Sequence, residues 1–256
     1  MSRQELRAPD AFQRAGLEVR AWISARKGLV IGLAVVLALA WFGTAVWRMV
    51  SEKREAKARE VMGSAMGVVI RPLAADVPLG MPMDPPPFKT EQERDQAARA
   101  ALEGVRSSYP GTRAALSATL TLAGMEARSG QTDAAIGHYQ EYLRQAPAGE
   151  LLRVTALDGL GHGQEAKGDL PSALETYQRM STEETGGFLE GMGAYNRARI
   201  LAEQGKKQEA AQAFAELIAA SPGTPAARLA QDRLSVLEAE GFKATVAAKP
   251  DAGSAG

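Results

Sequence analysis

Two histidines, His138 and His162, stand in a chain of 256 residues that holds no cysteine. Without thiols, disulfides, thiolate nucleophiles and Cys-based zinc sites are excluded. Neither histidine has an Asp or Glu at a metal-ligand spacing that recurs, so no metal site is expected. Gly159-Leu160-Gly161-His162-Gly163 has the glycine density of a phosphate-cradling loop. It follows no strand, however, and lacks the spacing of a P-loop or dinucleotide fingerprint. A helix thinned by glycine for close packing accounts for it better, at ~1 kcal/mol per glycine against alanine. The acidic runs Glu183-Glu184 and Glu52, Glu55, Glu60 read as solvated surface. No Ser/His/Asp constellation can be assembled. The expectation is a protein that is not an enzyme, with no catalytic residue, no metal and no cofactor.

The elements that would position any side chain begin with an apolar run. Residues 28–47 read GLVIGLAVVLALAWFGTAVW, uncharged, with Thr44 the most polar side chain. Twenty helical residues at ~1.5 Å rise span ~30 Å, the thickness of the hydrocarbon layer. Arg26-Lys27 and Arg48 bracket the run, and Trp22, Trp41 and Trp47 stand where amphipathic rings favour the interfaces. The run exceeds a signal-peptide core of ~7–15 residues and lacks a small-x-small cleavage site before Arg48, so a retained anchor is expected. Residues 1–27 carry six Lys/Arg against three Asp/Glu. Arg48, Lys53, Arg54, Lys57 and Arg59 put five positive charges beyond the other end. The flanking charges nearly balance; the short basic tail favours a cytoplasmic N-terminus with the long domain exported.

After the anchor the chain divides by composition. Residues 1–27 form the basic tail, 28–47 the span and 48–66 a charged helix continuing from it. Residues 67–90 hold Pro72, Pro78, Pro82, Pro85, Pro86 and Pro87. That density removes backbone donors and fixes φ, which predicts an extended linker. Residues 91–240 form a helical domain, and 241–256, small and polar, a disordered tail. Net charge is zero, with 5% aromatic residues, so nothing suggests nucleic acid, and close-packed small residues favour helices over sheet.

The helical domain repeats. Aligned on Gly130, Gly168 and Gly205, each copy has an alanine five residues later (Ala135, Ala173, Ala210) and an aromatic nine later (Tyr139, Tyr177, Phe214). Seven residues earlier lies Ala123, Gly161 or Ala198, and seventeen later Pro147 or Pro222, with Thr185 breaking the pattern. Glycine ends a helix because it takes the left-handed conformation without strain. Alanine permits a close crossing, the aromatic fills the gap between hairpins, and proline stops the second helix. Each hairpin leaves a face uncovered, so copies must stack.

This pattern resembles the tetratricopeptide repeat, over residues ~93–238. Glu126, Gln164 and Leu201 depart from the family's bulky aromatics in the first helix. Three full repeats plus a half are expected, with Ala97–Tyr109 a lone second helix, closed by Tyr109-Pro110-Gly111-Thr112. That phrase recurs as Ser221-Pro222-Gly223-Thr224, and residues 226–240 serve as a closing helix. The expected fold class is all-α: one N-terminal transmembrane helix followed by an α-solenoid of tetratricopeptide-like hairpins. The resemblance implies recognition of peptides or partner helices on a concave face lined by first helices. Its concave positions fall on Ser117, Leu120, Gly124 and Ala127, then Thr155, Asp158, His162 and Glu165, then Met192, Tyr195, Arg199 and Ala202. Of these, Asp158, His162, Glu165, Tyr195 and Arg199 make a mixed-polarity protein-binding patch.

Anchor plus repeats also resembles the inner-membrane ancillary subunit family of the Sec translocon. That implies a non-enzymatic scaffold or chaperone-like adaptor at the periplasmic side of a bacterial inner membrane. Its partners would be translocon subunits or exported proteins, with the membrane engaged through one helix and no nucleic acid. The proline-rich insert departs from that pattern. The alternative is a self-associating homo-oligomer that assists envelope assembly or division.

Overall fold

The computed structural model describes residues 20, 22, 24–78, 80–184 and 186–244. The expected basic tail therefore lies mostly outside the described residues, as do Thr185 and residues 245–256 of the expected tail. The chain forms two compact units, Met1–Ala56 and Lys57–Gly256.

Helix α1, Lys27–Val69, belongs to both units. In the first unit Leu29, Ile31, Val36, Leu37, Leu39, Trp41 and Phe42 are each more than half exposed. Thr44 donates its hydroxyl to the Trp41 carbonyl at 2.7 Å, so its polar group is satisfied within the helix. By length and composition the stretch Val35–Val69 contains a window able to cross a membrane, and that window is entirely unburied.

The second unit is an alternation of antiparallel helices. They are α2 (Glu91–Ser108), α3 (Arg113–Arg128), α4 (Thr132–Gln145), α5 (Leu152–Ala166), α6 (Leu170–Glu183), α7 (Met192–Glu203), α8 (Lys207–Ala220) and α9 (Pro225–Ala239). Each packs on the next, and the first helices of neighbouring pairs also touch, α3 on α5 and α7 on α9. The turn glycines do what their spacing implies. Gly130, Gly168 and Gly205 have φ of 75°, 77° and 79°. The following amide then reaches back to close the helix end, Gln131 to Glu126, Asp169 to Gln164 and Lys206 to Leu201, at 2.8–3.0 Å. The recurring Pro-Gly-Thr phrase is a helix start: Thr112 and Thr224 cap α3 and α9, accepting from Ala115 and Ala227 at 3.1 Å.

Burial follows the repeat. Ala135, Ala173 and Ala210 are fully or almost fully buried, as are Tyr177, Phe214 and, slightly less, Tyr139. The glycines of α5 are there for close approach. A Cβ on Gly159 would lie 2.3 Å from the Tyr139 ring, and one on Gly161 2.5 Å from the Tyr177 ring. The glycine-rich stretch is thus a helix interior onto which two repeat aromatics are pressed.

Three sequence expectations are corrected. First, α2 is not a lone second helix. Ala58 and Ala65, in the last turns of α1, are buried in one cluster with Ala98, Leu102 and Val105 of α2 and Ala118 and Leu122 of α3. The end of the charged helix is therefore the missing first helix of a leading pair. Second, the proline-rich segment is not an extended spacer. Its ends meet, with the Ala74 amide donating to the Phe88 carbonyl at 2.7 Å and the Phe88 amide to Pro72 at 3.1 Å. Arg71 stacks on the Phe88 ring at 4.9 Å. The segment is a loop inside that leading pair; proline stiffens it locally, but tertiary packing brings its ends together. Third, residues 241–244 are ordered: the Lys243 carbonyl accepts from Gln208 at 2.7 Å, and Phe242 packs beneath Lys207 at 5.6 Å.

Candidate protein-binding face

The expected binding residues stand on two adjacent first helices. Asp158, His162 and Glu165 follow one another at helical spacing along α5, and Tyr195 and Arg199 sit one turn apart on α7. Spacing of three and four residues places such side chains on one helix face.

Glu165 and Arg199 form the central pair. One guanidinium nitrogen of Arg199, Nη2, reaches both Glu165 oxygens at 2.7 and 2.8 Å, and Nη1 donates to Glu203 at 2.9 Å. Glu165 also accepts from the Tyr177 hydroxyl at 2.5 Å. Burial works against the Glu165 carboxylate, yet the hydrogen bonds from Arg199 and Tyr177 outweigh it and hold its pKa below the usual range. Burial pushes the Tyr177 phenol up, and its bond to Glu165 adds to this.

Asp158 is in a different environment. Burial pushes its carboxyl up, His162 works the other way, and Glu165 adds repulsion. The Asn196 amide donates to it at 3.4 Å. His162 lies over both acids, Nε2 3.6 Å from Asp158 and Nδ1 3.5 Å from Glu165. It meets the Tyr177 ring edge-on at 5.7 Å. With its side chain 52% exposed against 13% for Glu165, His162 is the group of this cluster most available to a partner.

Tyr195 is a correction. It is buried to 7% exposure and packs against Phe214 at 5.8 Å. It belongs to the core of the last pair, while the other four expected residues form one polar cluster. Beside Arg199 lies a small recess of about 130 Å³. Phe214 and Leu237 contribute its apolar lining, and Arg233 and Val236 of α9 extend the face.

Other polar residues prove to be structural. Arg153 was not singled out from sequence. Its side chain is 9% exposed; it donates to the carbonyls of Leu143 and Ala146 at 2.9 and 2.8 Å and to Glu183 at 2.7 Å. Glu183 and Glu184 are correspondingly not a solvated run. Glu184 accepts from the amides of Gly191 and Gly193 at 2.8 and 3.1 Å, capping α7. Glu126, standing where an aromatic was expected, is buried at 4% exposure. Arg99 and His138 Nδ1 each approach it to 2.6 Å. Since Nε2 of His138 faces Arg106 at 3.0 Å, the geometry calls for the tautomer with its proton on Nδ1. Among the described residues, no group of three or more acids and histidines is placed to hold a metal ion.

No curated protein matches this sequence. Solved structures do. A kinesin light chain with nearly identical TPR-like repeats, from Podosopora anserina, aligns at TM-score 0.50, with 15% identity over 73% of this chain and 88% of its own. A glutamine-to-methionine variant of that protein aligns at 0.51 with the same identity and coverage. MamA aligns at 0.47, with 17% identity over 59% of this chain and 82% of its own. At such identities the two kinesin-light-chain structures speak to the fold, a solenoid of helical hairpins. The sequence model of the tetratricopeptide repeat-like domain matches residues 20–239, and the chain therefore belongs to the tetratricopeptide repeat-like family.

Proposed function

We propose that this chain is a non-enzymatic scaffold or chaperone-like adaptor. Residues 28–47 anchor it in a bacterial inner membrane, and its repeats bind protein segments on the periplasmic side, among them translocon subunits or exported chains. Repeat folds of this family serve protein–protein interaction. The observation that carries the reading is the face shared by α5, α7 and α9. Asp158 and Glu165 meet His162 and Arg199 there, and Arg233 stands beside an apolar recess. Such a face suits an extended or helical peptide whose polar side chains exchange with the existing pairs while an apolar one enters the recess. Confinement to the bilayer raises the effective concentration of a weak site, so modest affinity suffices.

A photoreactive side chain at position 162 or 199, activated in native membranes, tests this. Capture of translocon subunits or exported chains is expected; capture of lipid alone refutes it. Sidedness is read separately from single cysteines at Ser129 and Ser221. Labelling by a membrane-impermeant thiol reagent in cells with an intact inner membrane is expected, and labelling only after that membrane is broken places the repeats in the cytoplasm.

A further inference from the structure

Helix α9 closes the array. It packs on α8 and touches α7, burying Ala226, Ala227, Ala230, Leu234 and Leu237. The end of a solenoid is expected to be polar where the next copy would stack. On α9 it is not: Leu229 is 42% and Val236 57% exposed. At 3.6 residues per turn, positions seven apart lie within ~20° of each other, so these two side chains form one short stripe. Asp232 and Arg233 fall between them in height and ~50° to either side. Side chains one residue apart do not face one another, so this acid and this base do not neutralise each other. Among the described residues neither has another ion-pair or hydrogen-bond partner. Charges close by are paired, Lys207 with Glu240 at 2.6 Å and Arg199 with Glu203 at 2.9 Å.

The arrangement is self-complementary in one orientation. When two copies of a helix pack side by side and parallel, about a two-fold axis along them, each apolar position meets itself and each flank meets the partner's opposite flank. Leu229 then lies on the second copy's Leu229 and Val236 on the second copy's Val236. Asp232 of each copy meets Arg233 of the other, which makes two ion pairs. Antiparallel packing instead sets each flank against its own counterpart, Asp232 against Asp232 and Arg233 against Arg233, and is repelled. Charge therefore selects a parallel pair of identical helices.

We infer that α9 is a self-association surface. Two copies of this chain pair through it, parallel and in register, with Leu229 and Val236 at the seam and an Asp232–Arg233 pair on each side. Exposed ion pairs of this kind fix partner and orientation more than they add affinity. The seam holds only two apolar layers, so the pair is weak and depends on concentration. The contact covers Arg233 and Val236, at the α9 margin of the proposed binding face. It rests on the chemistry of α9 alone, not on what that face binds.

The test uses the full chain in detergent, which has no native cysteine, carrying Leu229→Cys, Val236→Cys or, as a control on α6, the exposed Gln178→Cys. Oxidation by copper phenanthroline should join 229 to 229 and 236 to 236, and leave 178 at background. Copies tagged to different sizes read direction. A 229–236 disulfide, which the ~10 Å offset along parallel helices forbids, marks antiparallel pairing and overturns the inference. With Leu229→Cys in place, Asp232→Arg and Arg233→Asp should each lose the product, to the level of 178. A mixture of those two variants should regain it, between unlike copies only, because both ion pairs are then restored with their signs exchanged. A product at 229 that is no greater than at 178, or that is indifferent to both reversals, overturns the inference. A photoreactive crosslinker on Cys-substituted Leu229 in native membranes separates the two readings of this helix. Capture of other proteins only, with no product between two copies of this chain, overturns self-association and leaves the proposed function standing.

Discussion

Gly161→Ala isolates the reason α5 carries so many glycines. In an open helix interior this substitution stabilises by about 1 kcal/mol, because alanine loses less backbone freedom. At Gly161 the added Cβ would stand 2.5 Å from Cε1 and Cζ of Tyr177 and 3.0 Å from its hydroxyl. Tyr177 is fully buried and cannot swing aside without leaving Glu165. Overpacking of this kind costs roughly 1–3 kcal/mol, and loss of a hydrogen bond to a carboxylate roughly 1.5–3 kcal/mol. Set against the helical gain, the net expectation is a destabilisation of about 2–4 kcal/mol. Thermal melting of the detergent-solubilised chain, followed by circular dichroism, reads this as a Tm lower by roughly 5–15 °C. Gly124→Ala is the control. There a Cβ meets only the mobile end of Arg128, at 3.5 Å, so this variant should melt at or slightly above the parent. Adding Tyr177→Leu to Gly161→Ala makes room, and the pair should cost less than the sum of the two single changes. A Gly161→Ala protein as stable as the parent refutes the argument that close approach of the aromatic selects glycine.

Three further outcomes follow from the geometry. Glu165→Gln should cost about 1–3 kcal/mol at neutral pH, and the cost should depend on acid. The folded Glu165 pKa lies below its unfolded value, so its contribution is present above that unfolded value, ~4.3, and disappears as pH falls through the folded one. The Tm gap between parent and variant should accordingly close in strong acid; a gap constant from pH 7 to pH 3 rejects the assignment. Arg153→Lys keeps the charge but cannot reach Glu183 and the two carbonyls of Leu143 and Ala146 together. It should cost roughly 1–3 kcal/mol in thermal melts, and a neutral result would mean the guanidinium fork does not join the second and third pairs. Ala58→Asp puts an unpaired charge at a fully buried position and should cost roughly 3 kcal/mol or more. Arg59→Asp, next to it but exposed, should be close to neutral; equal melting of the two variants would remove the end of α1 from the repeat core.

Much of the fold was legible because the repeat writes its physics three times. A glycine obliged to take positive φ, an alanine at a crossing and an aromatic filling a gap are each weak signals alone. Their recurrence in register gave the helix boundaries, the faces and the reading of Gly159–Gly163 as packing. The same register placed Asp158, His162, Glu165 and Arg199 together, since positions three and four apart on parallel first helices must share a face. It failed at Tyr195, because register names the face and not how far the next helix covers it; Phe214 and the last pair bury that ring.

What residue types and spacing determined by themselves was therefore local and periodic: the uncharged apolar helical run of residues 28–47, the hairpins, their caps and the stripe that must be buried. Tertiary structure decided what depends on partners distant in sequence. Nothing in the charged run reveals that Ala58 and Ala65 meet Leu102 and Leu122, because alanine is equally at home on a solvated helix. Prolines announce stiffness, but whether the ends of such a segment part or meet is decided by the helices that flank it. Arg153 and Glu183, thirty residues apart, occupy no recurring position, so their pairing became visible only once α4, α5 and α6 were stacked.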